Sequence, residues 1–237
     1  ERLEQALATE FPDLPVLRID SDRVARVGEL DRLLGEIRSG RPAIVVGTQM
    51  LAKGHDFSRL SLVGVIDADA ALFSADFRAV ERMGQLLTQV AGRAGRGERP
   101  GEVLIQTHQP QHPALVRWLR EGYRGLAESL LDERRAAGLP PSAHLALVRA
   151  DSLRAASAEA FLREVATTLE GQQVEVMGPI PAPMERRAGR YRYQLLLRCP
   201  HRPRLQAALA RAAPLWPQIE GARRLRWSLD VDPQDLF

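Results

Sequence analysis

Two uninterrupted apolar runs constrain the fold of this chain more than any other feature. Residues 43–48 and 62–69 each begin with consecutive aliphatic side chains, without the alternation of a strand that faces water on one side. A strand with no polar face is buried on both sides, as strands are in parallel sheets. Helical periodicity surrounds these runs, with an amphipathic segment at 28–39 and a further helix from about residue 75. Strands that alternate with helices predict a parallel α/β sheet in this part of the chain.

The proline pair Pro140 and Pro141 predicts a domain boundary. Proline cannot continue a helix, and it biases the residue before it toward extended geometry. The pair interrupts the helical pattern of residues 113–137, which is itself predicted as two helical pieces. We therefore predict one domain over residues 1–138 and another over residues 139–237.

The second domain repeats a strand–helix–strand pattern. Its predicted helices and strands, in chain order, are the strand 145–150, the helix 155–170, the strands 174–177 and 191–198, the helix 202–215 and the strand 225–231. This βαββαβ order is that of the split βαβ or ferredoxin-like fold. The segment between the second and third strands is rich in proline and arginine, and it is predicted as an irregular connection.

Composition limits the classes of site that this chain can hold. The chain has 237 residues and a formal net charge of +3, and its only lysine is Lys53. Its one cysteine, Cys199, excludes an internal disulfide and any metal site built from several cysteines of this chain, and its apolar neighbours predict core packing. The sequence shows neither a bilayer-spanning segment nor a signal peptide, so we expect a cytoplasmic protein. The first residues have the pattern of a helix already under way, which we interpret as the interior of a longer protein.

Residues 89–96, with the sequence QVAGRAGR, are the first motif that predicts chemistry. Gln89, Arg93 and Arg96 stand at i, i+4 and i+7 of a helix and therefore share one face. Two guanidinium groups so placed suit a triphosphate whose charge rises during transfer. The alternative is the solvated, charged end of a helix.

A second motif begins where the first apolar strand ends, which is where open parallel sheets bind ligands. In residues 46–57, Thr48 and Gln49 are donors for phosphate oxygens and Lys53 adds a positive charge. Gly54 permits close backbone approach, and Asp56 can accept hydrogen bonds from a ribose. The alternative is a polar loop between a strand and a helix.

Together these two motifs resemble motifs V and VI of superfamily 2 helicases, and the first domain resembles the second RecA-like lobe of such motors. Longer stretches are similar to the primosomal replication-restart helicases. These stretches are residues 47–55, 67–79, 89–96 and 106–108 in the first domain and residues 139–141, 178–182, 189–197 and 230–233 in the second. The resemblance covers essentially the whole chain.

The resemblance implies roles for the residues of both motifs. Arg93 and Arg96 would act on the γ-phosphate of ATP bound with Mg²⁺ between two lobes, and Gln89 would couple the nucleotide to DNA. The sequence lacks a Gly-x-x-x-x-Gly-Lys-Ser/Thr loop, an acidic magnesium motif and the zinc-binding cysteines of this family. We therefore predict that this chain has no ATPase or helicase activity by itself.

In the same family, Thr48, Gln49 and Lys53 would contact the DNA backbone, and Asp56 would contact the ribose or the lobe interface. The intact protein would be an ATP-dependent 3′-to-5′ helicase. It would remodel stalled forks in the bacterial nucleoid and start reloading of the replicative helicase together with other primosome proteins.

The second domain adds two candidate binding surfaces. A basic stretch with interleaved aromatic residues predicts phosphate contact and base stacking, which agrees with a family domain that binds branched and single-stranded DNA. Its residues are Arg186, Arg187, Arg190, Tyr191 and Arg192. The alternative is an arginine-rich loop whose tyrosines pack on a helix.

The second surface lies on the last helix. Arg202 and Gln206 share a helical face, and in this family the matching helix holds the C-terminal tail of single-stranded DNA-binding protein. The alternative is an ordinary surface helix. The histidines lack zinc spacing, so we predict no metal site, and Asp67 with Asp69 is expected to organise a helicase loop.

Two other functions stay open. One is a different superfamily 2 motor, such as a recombination helicase. The other is a non-enzymatic module that binds DNA and protein, which would describe the chain if it acts alone.

Overall fold

The structure is a computed structural model that describes residues 2–19, 28–47, 60–92 and 101–236. The chain divides into two compact units. The first comprises Glu1–Ser74 and Ala79–Leu126, and the second comprises Ala75–Arg78 and Ala127–Phe237. Among the helices of the described residues, none is long and apolar enough to cross a membrane.

The first unit contains the parallel strands predicted from the apolar runs. Its elements are α1 (Arg2–Glu10), β1 (Val16–Ile19), α2 (Glu29–Arg38), β2 (Ile44–Gly47), β3 (Leu62–Val65), α3 (Asp69–Leu72), α4 (Ala79–Ala91), β4 (Glu102–Ile105) and the start of α5 (Pro113–Ala136). β1 pairs in parallel with β2, and β3 pairs in parallel with β4. The prediction of a mixed α/β unit with parallel pairing is thus confirmed. The prediction that these strands are buried on both faces is wrong for β3, whose residues alternate between exposed and half-buried.

Helices pack against each strand pair. Leu17 and Ile19 of β1 are buried against Leu33 of α2, which belongs to the apolar stripe predicted for that helix. Beside β3 and β4, a second cluster joins the helices α3, α4 and α5 around Leu87, which is fully buried. These clusters hold the carboxyl ends of the strands in place.

Helix α5 is interrupted at Gly122, where φ is 69° and ψ is −167°. A positive φ is accessible to glycine at little cost, because glycine has no Cβ. The interruption agrees with the two helical pieces predicted for this segment.

The second unit is built on one antiparallel sheet. Its elements after α5 are β5 (His144–Ser152), α6 (Ala155–Thr167), β6 (Glu175–Arg187), β7 (Arg190–Cys199), α7 (Arg202–Ala212) and β8 (Arg226–Val231), with 3₁₀ turns at Ala213–Gln218 and Ala222–Arg224. The strands lie in the order β6-β7-β5-β8, and each neighbouring pair is antiparallel. The predicted chain order βαββαβ is therefore observed.

One sequence prediction is wrong in this unit. The proline-rich segment after residue 177 is not an irregular connection but the continuation of β6 as far as Arg187. β6 lies at an edge of the sheet, where a proline need not donate a ladder hydrogen bond. Its pairing with β7 shifts register twice, between Met177 and Ile180 and between Pro181 and Arg186. These irregularities accommodate the prolines within a strand.

Both faces of the central strand β5 are buried. On one face, Val148 lies in the main core with helical residues of α6 and α7, together with Trp216 and Cys199. On the other face, Leu147 is also fully buried. The position of Cys199 in this cluster confirms its predicted packing role. The sheet is therefore a fixed frame for the hairpin that β6 and β7 form at its edge.

Candidate nucleic-acid interface

The hairpin of β6 and β7 ends in a two-residue turn at 188–189. The two φ angles of this turn are positive, 49° and 77°, as in the type I′ turn that joins twisted antiparallel strands. Arg187 pairs with Arg190 beside the turn, and Arg186 pairs with Tyr191 on the next rung. The turn therefore gathers four of the five residues of the predicted DNA-binding basic stretch within two rungs of the ladder.

Arg186 and Arg187 are exposed at the end of this hairpin. The guanidinium carbon of Arg186 lies 5.2 Å from the centre of the Tyr191 ring, which is the distance of a cation–π contact. Arg186 is exposed, and the N–H groups of an arginine form a planar fork that matches the oxygens of a phosphate. The side chain of Arg187 makes no hydrogen bond or ion pair with another described residue.

Arg190 and Arg192 are held against β5 by one residue, Asp151. Arg190 Nη2 donates to the backbone oxygen of Asp151 at 3.0 Å. Arg192 Nε lies 3.7 Å from the carboxylate Oδ1 of Asp151, and only 16% of its side chain is exposed. These two arginines brace the hairpin. Because Asp151 is separated from them by about 40 residues, only the strand register reveals the contact.

The two tyrosines of β7 have different surroundings. Tyr193 packs against the apolar core that includes Leu195, because residues two apart on a strand share a face. Tyr191 is half-buried and contacts Arg186 at the hairpin end. Packing accounts for Tyr193, whereas Tyr191 and the exposed Arg186 lie together at the end of the hairpin.

Arg202 and Gln206 are both exposed on α7. Arg202 Nη2 lies 3.3 Å from the carboxylate Oδ2 of Asp232, with 62% of the arginine side chain exposed. An exposed ion pair of this kind contributes about 0–1 kcal/mol. Arg202 therefore has a weakly held carboxylate partner within its own chain.

A second polar cluster lies where the parallel strands β3 and β4 end. Asp69 accepts hydrogen bonds from the Thr107 hydroxyl, from the His108 backbone N–H at 2.9 Å and from the His108 ring, whose Nδ1 is 2.7 Å away. Gln106 joins the same two segments, because its side-chain oxygen accepts from the Asp67 N–H. The segments 67–79 and 106–108, which are distant in sequence, thus meet at one strand end, and Asp69 organises the loop that follows β4.

These hydrogen bonds stabilise the ionised form of Asp69. Donation from Thr107, and then from the backbone and side chain of His108, lowers the pKa of Asp69 to about 2. Among the described residues, no group of three or more histidine, cysteine or acidic side chains could hold a metal ion. The cluster is therefore a hydrogen-bonded brace with one exposed imidazole.

Comparison with known proteins finds similar sequences along the whole chain. Residues 135–234 match the family described as the primosomal protein N C-terminal domain. Replication restart protein PriA of Haemophilus influenzae is 46% identical over the whole chain, and its counterpart from Synechocystis is 39% identical over the whole chain. The chain matches the C-terminal portion of PriA. PriA of Bacillus subtilis is 35% identical over 98% of the chain.

The chain spans 32% of the Haemophilus PriA, 28% of the Synechocystis protein and 29% of the Bacillus protein. Of the predicted nucleotide and DNA residues of the first domain, Gln89 alone lies within the described residues, half-buried in the last turn of α4. The other predicted positions lie outside the described residues, namely Thr48, Gln49, Lys53, Gly54, Asp56, Arg93 and Arg96.

Proposed function

We propose that this chain forms the second RecA-like lobe and a ferredoxin-like C-terminal domain of an ATP-dependent DNA helicase. The intact enzyme would unwind DNA in the 3′-to-5′ direction at stalled replication forks in the bacterial cytoplasm, and it would start reloading of the replicative helicase. Support comes from relatives named replication restart proteins along the whole chain. The strand order β6-β7-β5-β8, with two helices, supports the ferredoxin-like assignment.

The first part of this proposal concerns the nucleotide, and it assigns Gln89, Arg93 and Arg96 to ATP with Mg²⁺. The lobe outside this chain would hold the phosphates, and Gly54 and Asp56 would approach the nucleotide. The two arginines would stabilise the charge that develops on the γ-phosphate, a contribution of about 10³-fold or more when an arginine plays this role in GTPases. Zinc would belong to a part of the intact protein outside this chain.

The nucleotide assignment has a direct test in the intact protein. Arg93→Ala should abolish DNA-stimulated ATP turnover while DNA binding stays close to that of the unaltered protein. Near-normal turnover would show that Arg93 does not act on the γ-phosphate. The purified 237-residue chain alone should not hydrolyse ATP, and turnover by it would contradict the assignment of the phosphate site to another lobe.

The second part of the proposal concerns DNA binding. It rests on one observation, the pair of exposed arginines at the end of the β6–β7 hairpin. Arg186 is exposed with its guanidinium carbon 5.2 Å from the centre of the Tyr191 ring, and Arg187 is exposed beside it. Arginine edges match phosphate oxygens, and an aromatic ring offers a stacking surface for a base. Thr48, Gln49 and Lys53 of the first domain would contact the same DNA backbone.

Charge removal at the hairpin tests this assignment. Arg186→Gln with Arg187→Gln should weaken binding of a fluorescent forked DNA similarly for every sequence, because phosphate contacts carry no sequence information. Arg117→Gln with Arg120→Gln removes the same charge from exposed positions of α5 and serves as the matched control. Equal affinities for the hairpin variant and the control variant would rule out the hairpin as the contact.

The third part of the proposal concerns protein partners. It assigns Arg202 and Gln206 to the C-terminal tail of single-stranded DNA-binding protein. The intact protein would also contact other primosome proteins. The weak Arg202–Asp232 pair supports this assignment, because a terminal carboxylate could replace Asp232. A fluorescent tail peptide should bind the Arg202→Ala variant more weakly and the Asp232→Asn variant at least as well as the unaltered chain. Unchanged binding by Arg202→Ala would exclude the site.

If the chain acts without a first lobe, its function would be that of a DNA- and protein-binding module. The absence of a phosphate-binding loop from the sequence favours this second candidate. DNA-stimulated ATP turnover by the intact protein separates the two candidates, because the isolated chain is expected to be inactive in both cases.

A further inference from the structure

The antiparallel sheet of the second unit brings arginines from three separate chain segments to one end. β5 and β6 finish at this end, and β7 and β8 begin there. Asp151 of β5 pairs with Arg192 on one side and with Arg226 on the other. The hairpin pair Arg187 and Arg190 lies at the same end of the neighbouring strands.

We call this region the arginine end of the sheet and define it by its six exposed arginines. One follows β5, two finish β6, two precede β8 and one begins β8. They are Arg154, Arg186, Arg187, Arg223, Arg224 and Arg226. Arg223, Arg224 and Arg226 form a second short basic run in the sequence, and only the strand register places this run at the same end as the hairpin.

The charge at this end is not balanced within the unit. Its three segments, 150–155, 184–193 and 219–227, hold eight arginines and three carboxylates, which gives a net charge of +5. The opposite end, formed by 142–146, 172–177, 196–204 and 229–235, holds three arginines and four carboxylates, which gives −1. The positive charge of the unit is therefore concentrated at one end of the sheet.

The cross-strand pairing adds to this imbalance. Arg187 stands directly opposite Arg190, and like charges directly opposite each other destabilise a sheet. Asp151 separates Arg192 from Arg226 but gives its carboxylate to Arg192. The side chains of Arg154, Arg223, Arg224 and Arg226 make no hydrogen bond or ion pair with another described residue. An anion bound across this end would offset the repulsion.

We infer that the whole arginine end binds the phosphate backbone of a nucleic acid, which runs from the hairpin across β5 to the start of β8. This inference rests on the proposed function of the hairpin and extends it to three further segments. Four strands about 4.8 Å apart form a row of roughly 14 Å. A row of this length matches about four phosphates of one DNA strand, because the phosphates of a strand are spaced by about 3.4 Å along the duplex axis. A repeating phosphate polyanion fits this row better than an isolated carboxylate.

The test separates the start of β8 from the hairpin. The variant Arg223→Gln/Arg224→Gln/Arg226→Gln and the control Arg117→Gln/Arg120→Gln/Arg135→Gln lose the same charge from exposed positions. The dissociation constant of the 237-residue chain is measured by fluorescence anisotropy with a duplex of about 20 base pairs and with its single strand, from roughly 50 to 300 mM salt. Each lost phosphate contact reduces the slope of log affinity against log salt by about 0.9 on duplex DNA and about 0.7 on single-stranded DNA.

The β8 variant should lower the slope by about 2 to 3 on the DNA that the unaltered chain binds more tightly, and that tighter binding identifies duplex or single strand as the ligand. The control should leave the slope unchanged. The variant Arg223→Lys/Arg224→Lys/Arg226→Lys, which keeps the charge, should restore it, and circular dichroism should show the same fold for every variant.

An unchanged slope for the β8 variant would overturn the inference. If Arg186→Gln/Arg187→Gln still lowers the slope in that case, the proposed function of the hairpin survives. If the unaltered chain binds neither DNA in a salt-dependent way, the proposed DNA function fails as well.

Discussion

At the carboxyl ends of β3 and β4, one carboxylate joins two segments that lie almost 40 residues apart. Asp69 accepts hydrogen bonds from Thr107 and twice from His108. The i, i+2 spacing of Asp67 and Asp69 after an apolar strand predicts that this region organises a loop. The sequence does not predict the donors, because they follow a different strand and meet Asp69 only through parallel pairing of β3 with β4.

These hydrogen bonds make the stability of the first unit depend on pH in a defined direction. The pKa of Asp69 is lowered to about 2 from an ordinary value of 3.8, so folding favours its ionised form. The stabilisation is complete above about pH 4 and is lost as the pH falls toward 2. The free energy of unfolding, measured by urea denaturation from pH 5 to pH 2, should therefore fall more for the unaltered chain than for Asp69→Asn. Parallel pH profiles would show that the carboxylate contributes nothing.

The hairpin of β6 and β7 shows which features of a whole element the sequence predicts and which depend on a distant strand. The β7 strand was predictable because its residues alternate between core and surface. The length of β6 was not, because its prolines resemble an irregular connection until its position at the sheet edge is known. The faces of Tyr193 and Arg192 follow from alternation, whereas the contact of Arg192 with Asp151 depends on the neighbouring strand.

The turn of this hairpin can be improved by one substitution. Ala188 has a φ of 49°, a left-handed conformation that costs an ordinary residue about 1–2 kcal/mol. Asn-Gly is a favoured pair for a type I′ turn. Ala188→Asn should therefore raise the free energy of unfolding by about 0.5–1 kcal/mol without changing the denaturant m value.

A matched substitution tests whether the gain belongs to the turn. Ala210 is exposed on α7, where asparagine is a poorer helix former than alanine. Ala210→Asn should lower the free energy of unfolding by about 0.5 kcal/mol. If both variants shift stability in the same direction, the turn conformation is not the cause.

At the scale of the whole molecule, the division into units follows the distribution of apolar burial. The core around Val148, Phe161 and Trp216 lies entirely within the second unit, together with Leu147 on the other face of β5. Sequence patterning predicts the strands and helices of this unit but not the segment 75–78, which belongs to it from a distant part of the chain. Local periodicity carries no information about such a long-range contact.

The second unit has a hydrophobic core of its own, so we predict that residues 127–237 fold without the rest of the chain. Two of the three tryptophans, Trp216 and Trp227, lie in or against its core, so their fluorescence reports its unfolding. The fragment loses Phe77, whose ring lies 4.9 Å from the Arg134 guanidinium carbon and whose backbone oxygen accepts a hydrogen bond from Arg134 Nη2 at 3.3 Å.

We expect a single cooperative transition by fluorescence and by circular dichroism, with a free energy of unfolding about 1–2 kcal/mol below that of the same unit in the full chain. Phe77→Leu in the full chain removes the cation–π contacts of the ring with Arg78 and Arg134 but keeps the backbone hydrogen bond, so it should reproduce about half of that loss. A fragment that binds a hydrophobic dye and lacks a cooperative transition would show that this core requires the rest of the chain to reach fixed packing.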